Sequence, residues 1–151
     1  MALFDADDGL KVHREGQNAR AIVGGREYLF GDSDPADIIA IYARCVAQAR
    51  QYFEGRWRSA QGVNLDAADF GRLTQEATLH WMYYYIVNHL PVQITDADWD
   101  HPQSWRIIQR VVAERFGPDS EESIGLCAQL MGLSRHGFLD WKRGDELYLN
   151  R

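Results

Sequence analysis

Apolar positions in the first thirty residues fall in short bursts, Leu10 to His13, Ala19 to Val23 and Glu27 to Phe30. Turn-forming stretches, Glu15-Gly16-Gln17-Asn18 and Gly24-Gly25, separate them. That rhythm predicts a small antiparallel β-meander. From Gly31-Asp32-Ser33-Asp34-Pro35 onward the period changes to a helical one. Asp or Ser there can cap free amides and Pro35 suits a first turn. Ile38, Ile39, Tyr42, Cys45, Val46, Ala49, Tyr52 and Phe53 form an apolar stripe, predicting a helix to about Phe53. Residues 55–64 read as a polar connection containing Trp57.

A second helix is expected from about Asp66, through Phe70, Leu73, Ala77, Trp81, Tyr84, Tyr85 and Val87, stopping at His89-Leu90-Pro91. Residues 91–101 read as a loop. Pro102 opens a third helix carrying Trp105, Ile107, Ile108, Val111, Val112 and Phe116, closed by Gly117-Pro118. Asp119-Ser120-Glu121-Glu122 starts a shorter fourth helix, its acids suited to the positive end of the helix dipole. The expected fold class is α+β, mostly α: a short N-terminal antiparallel β-meander followed by a helical bundle ending in a helix-turn-helix-like unit. The expected division is an acidic α+β part at 1–100 and a C-terminal part at 101–151, which can equally form one compact domain.

The chain has 151 residues, 46% hydrophobic and 25% charged, enough to bury a core without disulfide or metal. Cys45 and Cys127 each sit in an apolar helical pattern and read as reduced core thiols. The opening Met-Ala-Leu-Phe-Asp-Ala-Asp-Asp lacks the basic flank and apolar region of a signal peptide. The longest apolar run, 81–87, is too short to span a bilayer. A cytoplasmic protein without membrane attachment is expected.

The net charge of −6 is unevenly spread. Residues 1–100 hold nine Lys/Arg against fifteen Asp/Glu, whereas residues 101–151 hold seven of each. Duplex binding relies on cations that displace counterions, so DNA contact is electrostatically plausible only in the C-terminal third.

That third carries a motif. From Ile124 the chain reads Ile-Gly-Leu-Cys-Ala-Gln-Leu-Met-Gly-Leu-Ser-Arg-His-Gly-Phe-Leu-Asp-Trp-Lys-Arg-Gly. Over about twenty residues this resembles the helix-turn-helix of phage repressors and Cro-like regulators. Ala128 stands where that family has a small residue between the helices, and Gly132 supplies the turn. Cys127, Met131, Leu133, Phe138 and Trp141 fill the apolar positions, and 105–116 can serve as supporting helix. The resemblance implies a second helix in a major groove, with Ser134, Arg135, His136, Asp140 and Arg143 facing bases and phosphates and Lys142 nearby. Residues 134–143 carry three cations and one anion. The chain departs from the pattern at Gly137, which costs helix stability, at Leu139, apolar near the DNA side, and at Asp140, which repels phosphate.

Other constellations point less far. Asp96-Ala97-Asp98-Trp99-Asp100 begins like a calcium loop, but His101 and Ile107 stand where glycine and a bidentate glutamate are required. Asp98 or Asp100 is instead expected to cap the third helix. Glu76 and His80 lie one turn apart without the second pair a dimetal bundle needs. His13, His80, His89, His101 and His136 show no zinc spacing with either cysteine. Of the aromatic run 81–85, Trp81, Tyr84 and Tyr85 are expected in the core and Tyr83 on a partner surface. There is no phosphate-binding glycine loop, nucleophile elbow or dinucleotide fingerprint; Gly24-Gly25 has no following lysine. No catalytic residue, metal or cofactor is expected.

The sequence thus leads to a small transcriptional regulator that occupies operator DNA as a homodimer. The alternative is an acidic protein-binding inhibitor, immunity or antitoxin-type module working through the acids at 5–8, 32–37 and 96–100, with Tyr83, Asp96, Asp98 and Asp100 at its partner surface.

Overall fold

The computed structural model describes residues 4–5, 10–23, 26–59 and 67–149. The Gly24-Gly25 turn and the acids at 7 and 8 lie outside them. Four strands, β1 (Phe4–Asp5), β2 (Lys11–Glu15), β3 (Asn18–Val23) and β4 (Arg26–Leu29), form an antiparallel sheet in sequential order. The expected three-stranded meander is thereby extended by β1, which pairs Phe4 with Val12. Glu15 pairs with Asn18 across a two-residue loop whose first residue, Gly16, has φ 61°, a conformation open to glycine at little cost. Val12, Ala19, Ala21 and Val23 are buried in alternation and make the inner face of the sheet.

Helix α1 (Pro35–Ser59) starts where Asp34 Oδ1 accepts a hydrogen bond from Ala36 N at 2.9 Å. It runs beyond the expected end at Phe53, because the polar stretch that follows contains helix-compatible Glu54, Arg56 and Arg58. Helix α2 (Ala67–Val87) is the axis of the bundle, packed against α1, the sheet and the third long helix. Every residue from Leu73 to Leu79 is buried, polar ones included. Thr78 solves its burial locally, its hydroxyl donating to the Thr74 carbonyl at 2.7 Å.

The expected loop after α2 contains a four-residue helix, α3 (Asp96–Trp99). Asp98 Oδ2 accepts from Thr95 N at 2.9 Å and so caps α3. Helix α4 (Pro102–Phe116) is capped by neither Asp98 nor Asp100. His101 does this, its Nδ1 accepting from Gln103 N at 3.1 Å. α5 (Glu121–Met131) begins at Ser120, whose Oγ accepts from Ser123 N at 3.1 Å, and α6 (Arg135–Leu149) completes the chain described.

A single apolar cluster runs from Leu10 to Phe138. α1 packs against α5 and α2 against α4, so residues 1–100 and 101–151 share this core. Among the described residues no helix is long and apolar enough to cross a membrane.

Candidate nucleic-acid interface

α5, a three-residue turn and α6 occupy the segment where the motif lies. Gly132 takes φ 72° and ψ 28°, the left-handed conformation that ends a helix. Its N–H and that of Leu133 return to the carbonyls of Gln129 (3.1 Å) and Ala128 (2.8 Å). Ser134 then caps α6, its Oγ accepting from Gly137 N at 2.9 Å. Gly137 stands within the first turn, its amide used by this cap.

The two faces of α6 differ sharply. Phe138 is buried and stacks obliquely with Trp141, which meets Trp105 of α4 edge to face at 5.9 Å. Leu139 is half-buried against the core rather than standing toward solvent. Ser134, Arg135, His136, Asp140 and Arg143 are exposed on the other side. Lys142 is separated from them: its ammonium folds back to the Pro118 carbonyl (3.2 Å) and Asp119 (3.1 Å) ahead of α5.

The exposed cations have acidic neighbours. Arg135 forks onto both carboxylate oxygens of Glu121, at 2.8 and 3.2 Å. Asp140 is flanked by Arg143, in close contact, and by His136 at 3.4 Å. Asp140 thus meets its local charges within the helix, and the face is near neutral when His136 is unprotonated.

The acids expected at a partner surface are mostly engaged. Asp98 accepts from Tyr85 Oη at 2.8 Å as well as from Thr95. Asp100 receives Tyr52 Oη in close contact and Arg56 Nη2 at 2.8 Å. Asp96 is exposed. Tyr83 is also exposed, although its ring meets Tyr28 and Phe30 edge to face at 6.0 and 6.3 Å. Trp81 is buried as expected and Tyr85 half-buried, but Tyr84 is 43% exposed. It lies one turn beyond Trp81, near the end of α2, with its ring edge to face with Trp81 and Tyr85.

A charged hub at Glu76 leaves no local pattern along the chain. Its carboxylate is wholly buried, with Arg26 of β4 (3.3 Å), Arg110 of α4 (3.2 Å) and Arg72 of α2 (3.9 Å) around it. Glu114 of α4 joins Arg26 at 3.0 Å and Arg72 in close contact. These partners arrive from three elements, so no local pattern announces them. The arrangement commits Glu76 to guanidinium groups and sets it apart from His80 as a metal ligand; among the described residues no three His, Cys, Asp or Glu are grouped to hold a metal. Cys45 and Cys127 are buried free thiols, and burial pushes Cys127 up to about 12, far from a reactive thiolate.

Comparison of the chain with protein-family models, curated proteins and solved structures finds no match.

Proposed function

We propose that the protein binds double-stranded DNA through α6, with Ser134, Arg135, His136 and Arg143 at the interface. The observation that carries this reading is the division of α6 itself. Its apolar side is anchored on α4 and α5 through Phe138 and Trp141, while Ser134, Arg135, His136, Asp140 and Arg143 are exposed in its first turns, just after the left-handed Gly132. A rigid helix presenting such residues is the geometry that major-groove readers use.

The ion pairs on that face are compatible with this role. Arg135–Glu121 is exposed on both sides, and exposed pairs contribute only about 0.2–1 kcal/mol. A phosphate can therefore take over Arg135 at small cost. Asp140 remains as a residue that restricts which sequences are accepted, by repelling electron-rich base edges. Lys142, tied to Asp119, belongs to the hairpin and not to the contact surface. Binding in two-fold pairs would double a contact that is small for one copy.

Fluorescence anisotropy with mixed duplex DNA across a salt series tests the reading. Arg135→Ala and Arg143→Ala are expected to weaken binding and to flatten its salt dependence, by about one counterion each. Glu121→Gln, which frees Arg135, is expected to strengthen it. Absence of salt-sensitive binding by wild type at low ionic strength refutes it. The acidic-surface alternative receives less support, because Asp98 and Asp100 each accept hydrogen bonds from this chain's own side chains.

A further inference from the structure

Where α2 ends beside α3 and the start of α4, a cleft of about 700 Å³ opens between His80, Trp81, Tyr84, Tyr85, Asp98 and His101. This is within the usual size of small-molecule sites. Its rings meet almost at right angles: His80 to Trp81 at 5.0 Å and 85°, Trp81 to His101 at 5.4 Å and 83°, and Tyr84 to Tyr85 at 5.5 Å and 88°. Each perpendicular contact sets the edge of one ring on the face of the next, and the exposed part of Tyr84 borders the cleft.

The polar groups narrow the ligand. Among the described residues no lysine or arginine lines the cleft, which leaves an anion without a counter-charge there. Asp98 is its carboxylate, and both hydrogen bonds it accepts, from Tyr85 Oη and Thr95 N, fall on Oδ2. Oδ1 accepts none among the described residues. Burial pushes the Tyr85 hydroxyl up to about 12, with Asp98 adding to the effect, so it stays a donor to that carboxylate. Burial lowers His80, helped by Arg110 and His101, which keeps the imidazole uncharged near neutral pH. Trp81 is fixed in place: its indole N–H donates to Ser104 Oγ at 2.9 Å, and that hydroxyl donates to the Asp98 carbonyl at 2.7 Å.

We propose that this cleft binds a small organic cation with a methylated ammonium head, held by cation–π contact with the Trp81–Tyr84–Tyr85 walls and by the Asp98 carboxylate. The site is independent of the DNA-binding reading and shares none of its residues.

Choline is the probe, and 3,3-dimethylbutan-1-ol, its uncharged isostere, is the control. In a ¹H–¹⁵N titration of the whole protein, choline is expected to shift the Trp81 indole signal saturably, that signal being assigned by its loss in Trp81→Phe. The isostere is expected to bind roughly tenfold more weakly, the margin cation–π attraction supplies. Tyr84→Ala, which removes a ring 43% exposed together with its edge contacts to Trp81 and Tyr85, is expected to weaken choline by a similar factor, while Tyr84→Phe, which keeps the ring, is expected to retain binding. Equal binding of choline and the alcohol overturns the proposal in favour of an unselective apolar cleft. No saturable shift at millimolar choline overturns it outright.

Discussion

Arg106 of α4 donates through both Nε (2.8 Å) and Nη2 (2.6 Å) to one oxygen of Asp145 on α6. Asp145 keeps only 13% of its side-chain surface exposed, which lifts this pair above the usual surface ion pair. Together with the Trp105–Trp141 contact it fixes how α6 lies on α4. Asp145→Ala is expected to lower stability by about 1.5–3 kcal/mol, the range for hydrogen bonds to charged groups, read from urea unfolding. Hydrogen exchange is expected to accelerate in the last two turns of α6 before it changes in α2.

Gly132 makes a sharper prediction. Its backbone is left-handed, and a Cβ there would stand 2.6 Å from Arg56 Nη1. Arg56 is itself bonded to Asp100 and lies over the Tyr52 ring, so yielding to a methyl group disturbs those contacts. Gly132→Ala is expected to cost about 1–2 kcal/mol from the backbone alone, seen as a lower thermal midpoint. Gly144→Ala, in open space on α6, should instead raise it slightly.

At Glu76 the expected loss is larger. Glu76→Ala leaves the guanidinium groups of Arg26, Arg72 and Arg110 without the carboxylate between them, although Glu114 still meets two of them. The guanidinium groups left behind are each 30–38% exposed, so the cost is about 1.5–3 kcal/mol, the range for hydrogen bonds to charged groups. The exposed Glu121→Ala should stay within about 1 kcal/mol. A comparison of the two denaturation midpoints checks this difference.

His80 ties stability to pH. Its folded pKa lies below the ordinary value, chiefly through burial, so the unfolded chain takes up a proton more readily than the folded one. The stabilisation is fully present above the unfolded value of about 6.5 and is lost as pH falls below it. Urea midpoints are expected to drop between about pH 7.5 and about pH 5, with a shallower drop in His80→Gln.

These sites differ in how far they could be read from the chain. α4 and α5 were legible nearly to the residue, because Pro102, Gly117 and Ser120 are local signals and their apolar stripes are strong. The Gly132 turn was legible for the same reason. α3 was hidden inside an acidic stretch, though Thr95 followed three residues later by Asp98 is a variant of a capping box. His101 was overlooked as a cap because histidine is an uncommon one. Hardest was the buried polar arc of α2, where Thr74, Gln75, Glu76 and Thr78 imitate a solvent face. What encloses Glu76 comes from β4 and α4, and such distant pairing leaves no periodic trace. Tyr84 was misjudged for the reverse reason: its stripe position suggested burial, but the bundle ends beneath it.

The hub around Glu76 also sets a timetable. Arg26 must wait for Glu114, 88 positions further along. At about 5–20 residues per second, a ribosome needs roughly 4 to 18 s to make that stretch. Throughout this interval β4, an edge strand of the sheet, has emerged without the helix that will share its charge. The sheet is made before the helix that completes its charge pairing, which makes it the segment where chaperones, or premature contact between neighbouring chains, would act.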